Sequence, residues 1–241
     1  LKAQRSFLDG NFAEAERRWA EARTRAARGG LVYAELFYNT QVFNFALERD
    51  GAAAVLTRRF GNAAFNSATP STRANAARVD AEAGQIERAR GELSSLGDPT
   101  DYPRDGHYLN LLANMAACAA LVDDKAHCEQ LFALLSPYAA LNTPSPMGFY
   151  LGSVAHFLGM LSVALGKPAQ AAEHFEHALE RNRAMGYRAG TVRTLLAHAR
   201  LTEQQGNRPA ARDLFETARR EAEALGMRWA VADAEARLAG A

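Results

Sequence analysis

Small and large apolar residues recur along the chain in one pattern that appears six times. A turn residue is followed five positions later by a small residue, four positions after that by a large apolar residue, and three later by a small or apolar one. The six turn residues are Gly10, Gly51, Gly84, Asp123, Gly166 and Gly206. A pattern that returns at intervals of 33 to 43 residues is the signature of a repeat architecture.

Between the turns, apolar residues fall at helical spacing, as in Leu158, Leu161 and Leu165. Each half of a repeat is therefore predicted to be an amphipathic helix, and one helix pair cannot bury its apolar face alone. We predict an all-α fold, a right-handed superhelix (α-solenoid) of about six helix pairs. The segment Arg228 to Leu238 is expected to be a final capping helix, which gives about thirteen helices and no sheet.

Two repeats depart from the pattern. In the second, whose later positions are Phe60 and Ala63, Leu56 occupies the small position, and the third repeat is short. The period continues across three loop-like stretches rich in Pro, Gly, Asp and Ser, namely 66–71, 97–106 and 142–148. These are predicted to be inter-repeat loops, so residues 1–241 are expected to form one repeat domain. Because the first residue is Leu1, this domain is expected to be a fragment of a larger protein.

The charge balance argues against binding to polyanions. Lysine plus arginine number 28 against 27 aspartate plus glutamate, so the net charge is +1, and no domain-wide cationic field would attract nucleic acid. A membrane span within the uncharged stretch 133–166 is disfavoured because Pro137, Pro144 and Pro146 interrupt it. With two cysteines and no secretory signal, a cytoplasmic location is expected.

Catalytic and metal-binding motifs are missing from the sequence. It contains no phosphate-binding loop, no Gly-x-Ser-x-Gly elbow and no His-Glu-x-x-His helix. His174 and His177 are three residues apart on one predicted helix. They flank the packing positions Phe175 and Ala178, and polar side chains at such flanking positions normally face solvent. We therefore predict no enzymatic activity, no catalytic residue, no cofactor and no metal.

The fifth repeat, with Leu158, Gly159, Ala171, Phe175 and Ala178 in register, resembles the tetratricopeptide consensus. The segments YPRDGHYLNLLANMAACAALVDDKAHCEQLFALLSPYA and GSVAHFLGMLSVALGKPAQAAEHFEHALERNRAMG are similar to the carboxy-terminal helical arrays of bacterial multidomain regulators. These include cyclase/ATPase fusions and LuxR-type or maltose-activator-like transcriptional regulators. The resemblance implies tetratricopeptide-like helix pairs and a sensor or scaffold role.

This implied role leads to a binding hypothesis. First helices of such arrays line a concave groove, which here is predicted to include Tyr38, Gln41, Phe45, His156, Met160, Arg193 and Arg200. Such a groove would suit a protein or peptide partner, or other domains of the same polypeptide, with a small-molecule effector possible. Arg193 and Arg200 are expected to be exposed, so that replacing both would leave stability nearly unchanged.

Three alternatives stay open at this level. Phe45, Met160 and Leu196 would also fit as core residues between layers, with the arginines merely solvated. A different function would be a substrate-holding accessory domain of an enzyme. Another would be a helical-repeat RNA binder, which the near-neutral charge disfavours.

Overall fold

The computed structural model describes residues 2–57, 69–145 and 148–240, and these residues form thirteen α-helices. Their bounds are α1 Lys2–Leu8, α2 Phe12–Arg28, α3 Ala34–Asp50, α4 Ala52–Thr57, α5 Pro70–Glu82, α6 Ile86–Leu96, α7 Tyr108–Leu121, α8 Lys125–Leu135, α9 Val154–Ala164, α10 Pro168–Met185, α11 Arg188–Gln204, α12 Arg208–Leu225 and α13 Arg228–Ala239. The chain is an all-α repeat solenoid of six helical hairpins with a final helix, as the periodicity predicts. The sequence positions Phe60 and Ala63, and residues 66–68 of the loop at 66–71, lie outside the described residues.

The six predicted turn positions all adopt the left-handed backbone region. Their φ angles run from 57° at Asp123 to 85° at Gly51. Asp123 stands out because it is the one residue other than glycine with a positive φ among those the structure describes, and such a conformation costs an L-residue roughly 1–2 kcal/mol. The turns between paired helices are therefore encoded locally.

Helix starts after these turns are also fixed by local chemistry. The side chains of Asn11, Asp124 and Asn207 accept hydrogen bonds from backbone N–H groups three residues later, at the starts of α2, α8 and α12. Each cap satisfies a donor that the helix itself leaves unpaired. Short polar residues after a left-handed turn thus specify where the second helix of these hairpins begins.

The prediction of no sheet was wrong. Strand β1 (Asn142–Pro144) pairs antiparallel with β2 (Tyr150–Ser153) between the fourth and fifth hairpins. The buried hydroxyl of Thr143 donates to the carbonyl of Gly152 at 2.9 Å, and the backbone N–H of Ser153 donates to the Asn182 side chain at 3.1 Å. Strand pairing and these hydrogen bonds satisfy buried polar groups of the segment, a requirement that apolar periodicity does not express.

Aromatic packing joins the first and last repeats. The ring of Phe7 on α1 lies 5.3 Å from that of Phe45 on α3 and 5.8 Å from that of Tyr187, which immediately precedes α11. All three side chains are buried in one core cluster that also contains Phe215 on α12. Since the third, fourth and fifth hairpins separate these elements in sequence, the array must close on itself.

Polar contacts complete this closure. The indole N–H of Trp229 on α13 donates to the carbonyl of Glu48 on α3 at 2.8 Å, and Arg228 pairs with Asp50. A Cβ atom built on Gly51 would lie 2.7 Å from Cβ of Trp229, closer than nonbonded atoms can approach. We call this N-to-C junction, formed by Glu48, Asp50 and Gly51 against Arg228 and Trp229, the closure contact.

Close packing within the fifth hairpin depends on Gly159. A Cβ atom there would lie 2.4 Å from the ring of the buried Phe175, so Phe175 fills the space beside this glycine. We expect Gly159→Ala to lower the free energy of unfolding by about 1–3 kcal/mol through overpacking, despite the better helix propensity of alanine. Denaturant unfolding followed by circular dichroism measures this change.

Gly91 provides the matched control. It also lies within a helix, α6, but a Cβ atom there would meet nothing within 4 Å. Gly91→Ala is therefore expected to stabilise the chain by about 0.5–1 kcal/mol. Equal effects of the two substitutions would contradict close packing at Gly159.

Candidate functional site

A cavity of about 470 Å³ lies inside the closed array. It is lined by the first helices of the third to sixth hairpins, by α13, and by the turn between α3 and α4. The lining residues used below are Asp50, Arg78, Glu82, Leu151, His156, Phe157, Met160, Arg193, Leu196, Ala197, Arg200, Trp229, Asp233 and Arg237. Successive first helices therefore converge on one site.

Four of the seven residues predicted for the groove line this cavity, namely His156, Met160, Arg193 and Arg200. They come from α9 and α11, the first helices of the fifth and sixth hairpins.

The three groove residues predicted on α3 lie elsewhere. Phe45 is 2% exposed and packs in the aromatic core, while Gln41 is 1% exposed. Tyr38 is half-buried, and the Arg23 guanidinium of α2 lies 4.3 Å from its ring centroid. The groove assignment fails for Phe45 because closure packs α1 and the segment before α11 against this part of α3.

Arg193 is not an exposed residue, contrary to the expectation from the sequence. Its side chain is 14% exposed, and its guanidinium donates to Glu48 at 2.8 Å and contacts Glu82 at 3.4 Å. The same group lies 4.8 Å from the ring centroid of Trp229. Burial alone would lower the pKa of Arg193, but the carboxylates of Glu48 and Glu82 outweigh it and raise that pKa. Arg193 thus links three distant segments.

Arg200 has a different environment, although it lies seven positions along the same helix. Its side chain is 40% exposed and pairs with Asp233 of α13 at 2.6 Å. Because Arg200 also lines the cavity, the cavity reaches solvent on this side.

His156 is buried and uncharged. Its Nδ1 lies 3.1 Å from the hydroxyl of Thr194. Burial, reinforced by the positive charge of Arg193, lowers the pKa of His156 to about 3. The ring is therefore a neutral polar group in the cavity wall at physiological pH.

This burial predicts a pH dependence of stability. Because the folded-state pKa of His156 lies below the unfolded value of 6.5, the unfolded state binds a proton first, and stability falls as the pH drops below 6.5. At pH 5 the ring should account for a loss of about 2 kcal/mol relative to neutral pH. Urea unfolding of the unmodified protein and of His156→Asn at pH 7 and pH 5 measures it.

The difference between pH 7 and pH 5 should shrink by about 2 kcal/mol in His156→Asn. Replacing the exposed His107 by asparagine is the control, and it should leave the difference as it is in the unmodified protein. An unchanged difference in His156→Asn would show that the ring is not buried as a neutral group.

Sequence reasoning missed the charged residues that surround Arg193. Glu48 is 5% exposed and Arg78 is 3% exposed, although their residue types predict solvated positions. The signal for Glu48 was its place directly after the apolar run Phe45 to Leu47, which indicates that α3 is covered on most sides at this point.

Within residues 2–57, 69–145 and 148–240, no group of three or more His, Cys, Asp or Glu side chains is arranged to hold a metal ion. Among the helices formed by these residues, none has the length and apolar character needed to cross a membrane.

Comparison with known families gives one match. A tetratricopeptide repeat model matches residues 150–224, which contain the fifth and sixth hairpins that supply His156, Met160, Arg193 and Arg200. Comparisons with curated proteins and with solved structures found no match. Tetratricopeptide repeats generally mediate protein–protein interactions.

Proposed function

We propose that this chain is a non-catalytic interaction and ligand-sensing module of a bacterial signalling or transcriptional regulator. The observation that carries the proposal is the closed array itself, in which the first helices of four hairpins and α13 surround one cavity. The tetratricopeptide match over residues 150–224 supports an interaction role. The resemblance of the helical segments to regulator arrays supports the regulatory context.

The contacts around the cavity couple ligand binding in the cavity to the closure of the array. Arg193 and Trp229 line the cavity, and both also contact Glu48. The Arg193 guanidinium donates to the Glu48 carboxylate, and the Trp229 indole N–H donates to the Glu48 carbonyl. An occupant that interacts differently with the closed and open arrays would shift the balance between them. The junction between first and last repeats would then report occupancy to a partner.

Residues 1–241 form one repeat domain in this proposal, placed in the cytoplasm as part of a larger regulator. Its partner is a protein, a peptide or another domain of the same polypeptide, and a small-molecule effector is included. His156, Met160, Arg193 and Arg200 are the proposed binding residues, because they share the cavity. Tyr38, Gln41 and Phe45 are not included.

The test starts from the full-length reading frame. A neighbouring cyclase, ATPase or DNA-binding domain should bind the isolated chain in isothermal titration calorimetry, with a dissociation constant in the micromolar range or tighter. A neighbouring metabolic catalytic domain would favour a substrate-holding accessory role instead. Absence of binding to every domain encoded in the frame would contradict the role of another domain of the same polypeptide as the partner.

A further inference from the structure

The cavity has the size and composition of a small-molecule site. Its volume of about 470 Å³ lies within the roughly 300–1,000 Å³ typical of such sites. Four arginines and three carboxylates line it, namely Arg78, Arg193, Arg200, Arg237, Asp50, Glu82 and Asp233. The lining therefore carries one more positive than negative side chain.

Arg78 is the group in this lining whose hydrogen bonding is incomplete. The residue is 3% exposed, and its Nε–H is buried without a hydrogen-bond partner. One Nη donates to Asn75 at 3.2 Å, and the other lies 3.7 Å from Glu82. A buried donor left unpaired is unfavourable, so this side chain retains hydrogen-bonding capacity that the fold does not use.

Glu82 makes only long contacts with the two arginines beside it, and Arg193 has a closer partner in Glu48 at 2.8 Å. The Glu82 carboxylate is shared between Arg78 at 3.7 Å and Arg193 at 3.4 Å, and both distances exceed those of strong charge-assisted hydrogen bonds. Burial raises the pKa of Glu82, but the positive charges of Arg193 and Arg78 outweigh burial and hold it below its ordinary value. The guanidinium of Arg78 therefore keeps donor capacity for a second anion.

The rest of the lining is apolar on one side. Leu151, Phe157, Met160, Leu196 and Ala197 come from β2, α9 and α11 and form this surface. A cavity that combines a buried arginine with spare donors and an extended apolar wall suits a ligand that has an anionic head and an apolar body.

We propose that the cavity binds a small organic acid whose carboxylate or phosphate head accepts hydrogen bonds from Arg78, with its apolar body against Met160 and Leu196. Arginine suits this task because its planar fork of donors matches both head groups. This inference rests on the proposed ligand-sensing function and names the chemical class of the effector.

The test uses octanoate, octyl phosphate and the neutral 1-octanol as probes in isothermal titration calorimetry with the whole chain. We expect at least one of the two anions to bind at least tenfold more tightly than 1-octanol. The tighter of the two anions identifies the head group. Equal affinity of 1-octanol and both anions would overturn the proposal.

Arg78→Met tests the assigned donor. Methionine keeps an unbranched stem and removes the charge, and Glu82 keeps Arg193 as its partner, so we expect the anion's affinity to fall at least tenfold while that of 1-octanol changes little. A folded Arg78→Met protein that binds the anion with unchanged affinity would overturn the proposal.

Ala197→Phe tests the location of the ligand independently of Arg78→Met, which is needed if Arg78→Met does not fold. The substitution adds a ring to the apolar wall of the cavity and changes no charged residue. It should weaken binding of anions and 1-octanol alike by at least tenfold, and unchanged binding would place the ligand elsewhere. If the anions fail to bind while a neighbouring domain still does, only this inference falls and the interaction role stands.

Discussion

Replacing Arg193 by alanine is expected to lower the free energy of unfolding by about 3–5 kcal/mol. The substitution leaves the carboxylates of Glu48 and Glu82 in a buried environment without their shared cation, and breaking a buried ion pair by removing one partner has this magnitude. It also removes the guanidinium beside Trp229 and so weakens the closure contact. Urea unfolding at pH 7 measures the change.

Arg200→Ala is the matched control on the same helix. Its ion pair with Asp233 involves an arginine side chain that is 40% exposed, and such pairs contribute about 0–1 kcal/mol. If the two alanine variants had equal stability, the buried network around Arg193 would be contradicted. The groove hypothesis from the sequence treated both arginines alike, so this comparison separates the two descriptions directly.

Phe45→Ala is also expected to lower the free energy of unfolding by about 3–5 kcal/mol, because removal of a fully packed aromatic side chain leaves a cavity. Phe45 is 2% exposed and its ring contacts Phe7 of α1, within the cluster that holds Tyr187 and Phe215. The loss should loosen the junction between first and last repeats. Thermal and urea unfolding of the variant measure this effect.

Phe37 on the same helix is the control, since it is 36% exposed. Its replacement by alanine should change stability by less than about 1 kcal/mol. A mild effect of Phe45→Ala, comparable with that of Phe37→Ala, would return Phe45 to the binding surface that the sequence analysis assigned to it.

Most of the repeat organisation could be predicted from the sequence, because it depends on residues close together in the chain. Each of the six turns needs a residue that tolerates a positive φ, and glycine or aspartate occupies all six positions. The capping helix was predicted from Arg228 to Leu238 and is observed over Arg228–Ala239. The handedness of the superhelix stays a prediction.

The closure could not be predicted, because it joins residues far apart in the chain. Nothing local to Glu48 signals a contact with Arg193, 145 residues later. The same limit explains the outcome for the groove residues. His156 and Arg193 lie on the first helices of adjacent hairpins, so their proximity follows from the repeat. Phe45 was assigned to the groove surface without knowledge of what covers α3. Register within a repeat is local information, and the packing of the first repeat on the last is not.

The two native cysteines simplify a distance measurement across the closure. Cys118 and Cys128 are fully buried, and burial raises the pKa of each thiol to about 12. Because the thiolate is the reactive form, neither should react with a maleimide or methanethiosulfonate label at neutral pH. Spin labels would then attach only to cysteines introduced at the exposed positions Ala53 and Ala232.

The distance between these two labels, measured by double electron–electron resonance, tests the closed array most directly. Ala53 and Ala232 lie two and three residues from Gly51 and Trp229, which are in contact, so their Cα atoms must be within about 25 Å. We expect one dominant distance in that range. Four hairpins separate the two sites in sequence, and at about 8–10 Å per layer an open array would place them about 40 Å apart. A dominant population at that longer distance would contradict the closure and the enclosed cavity.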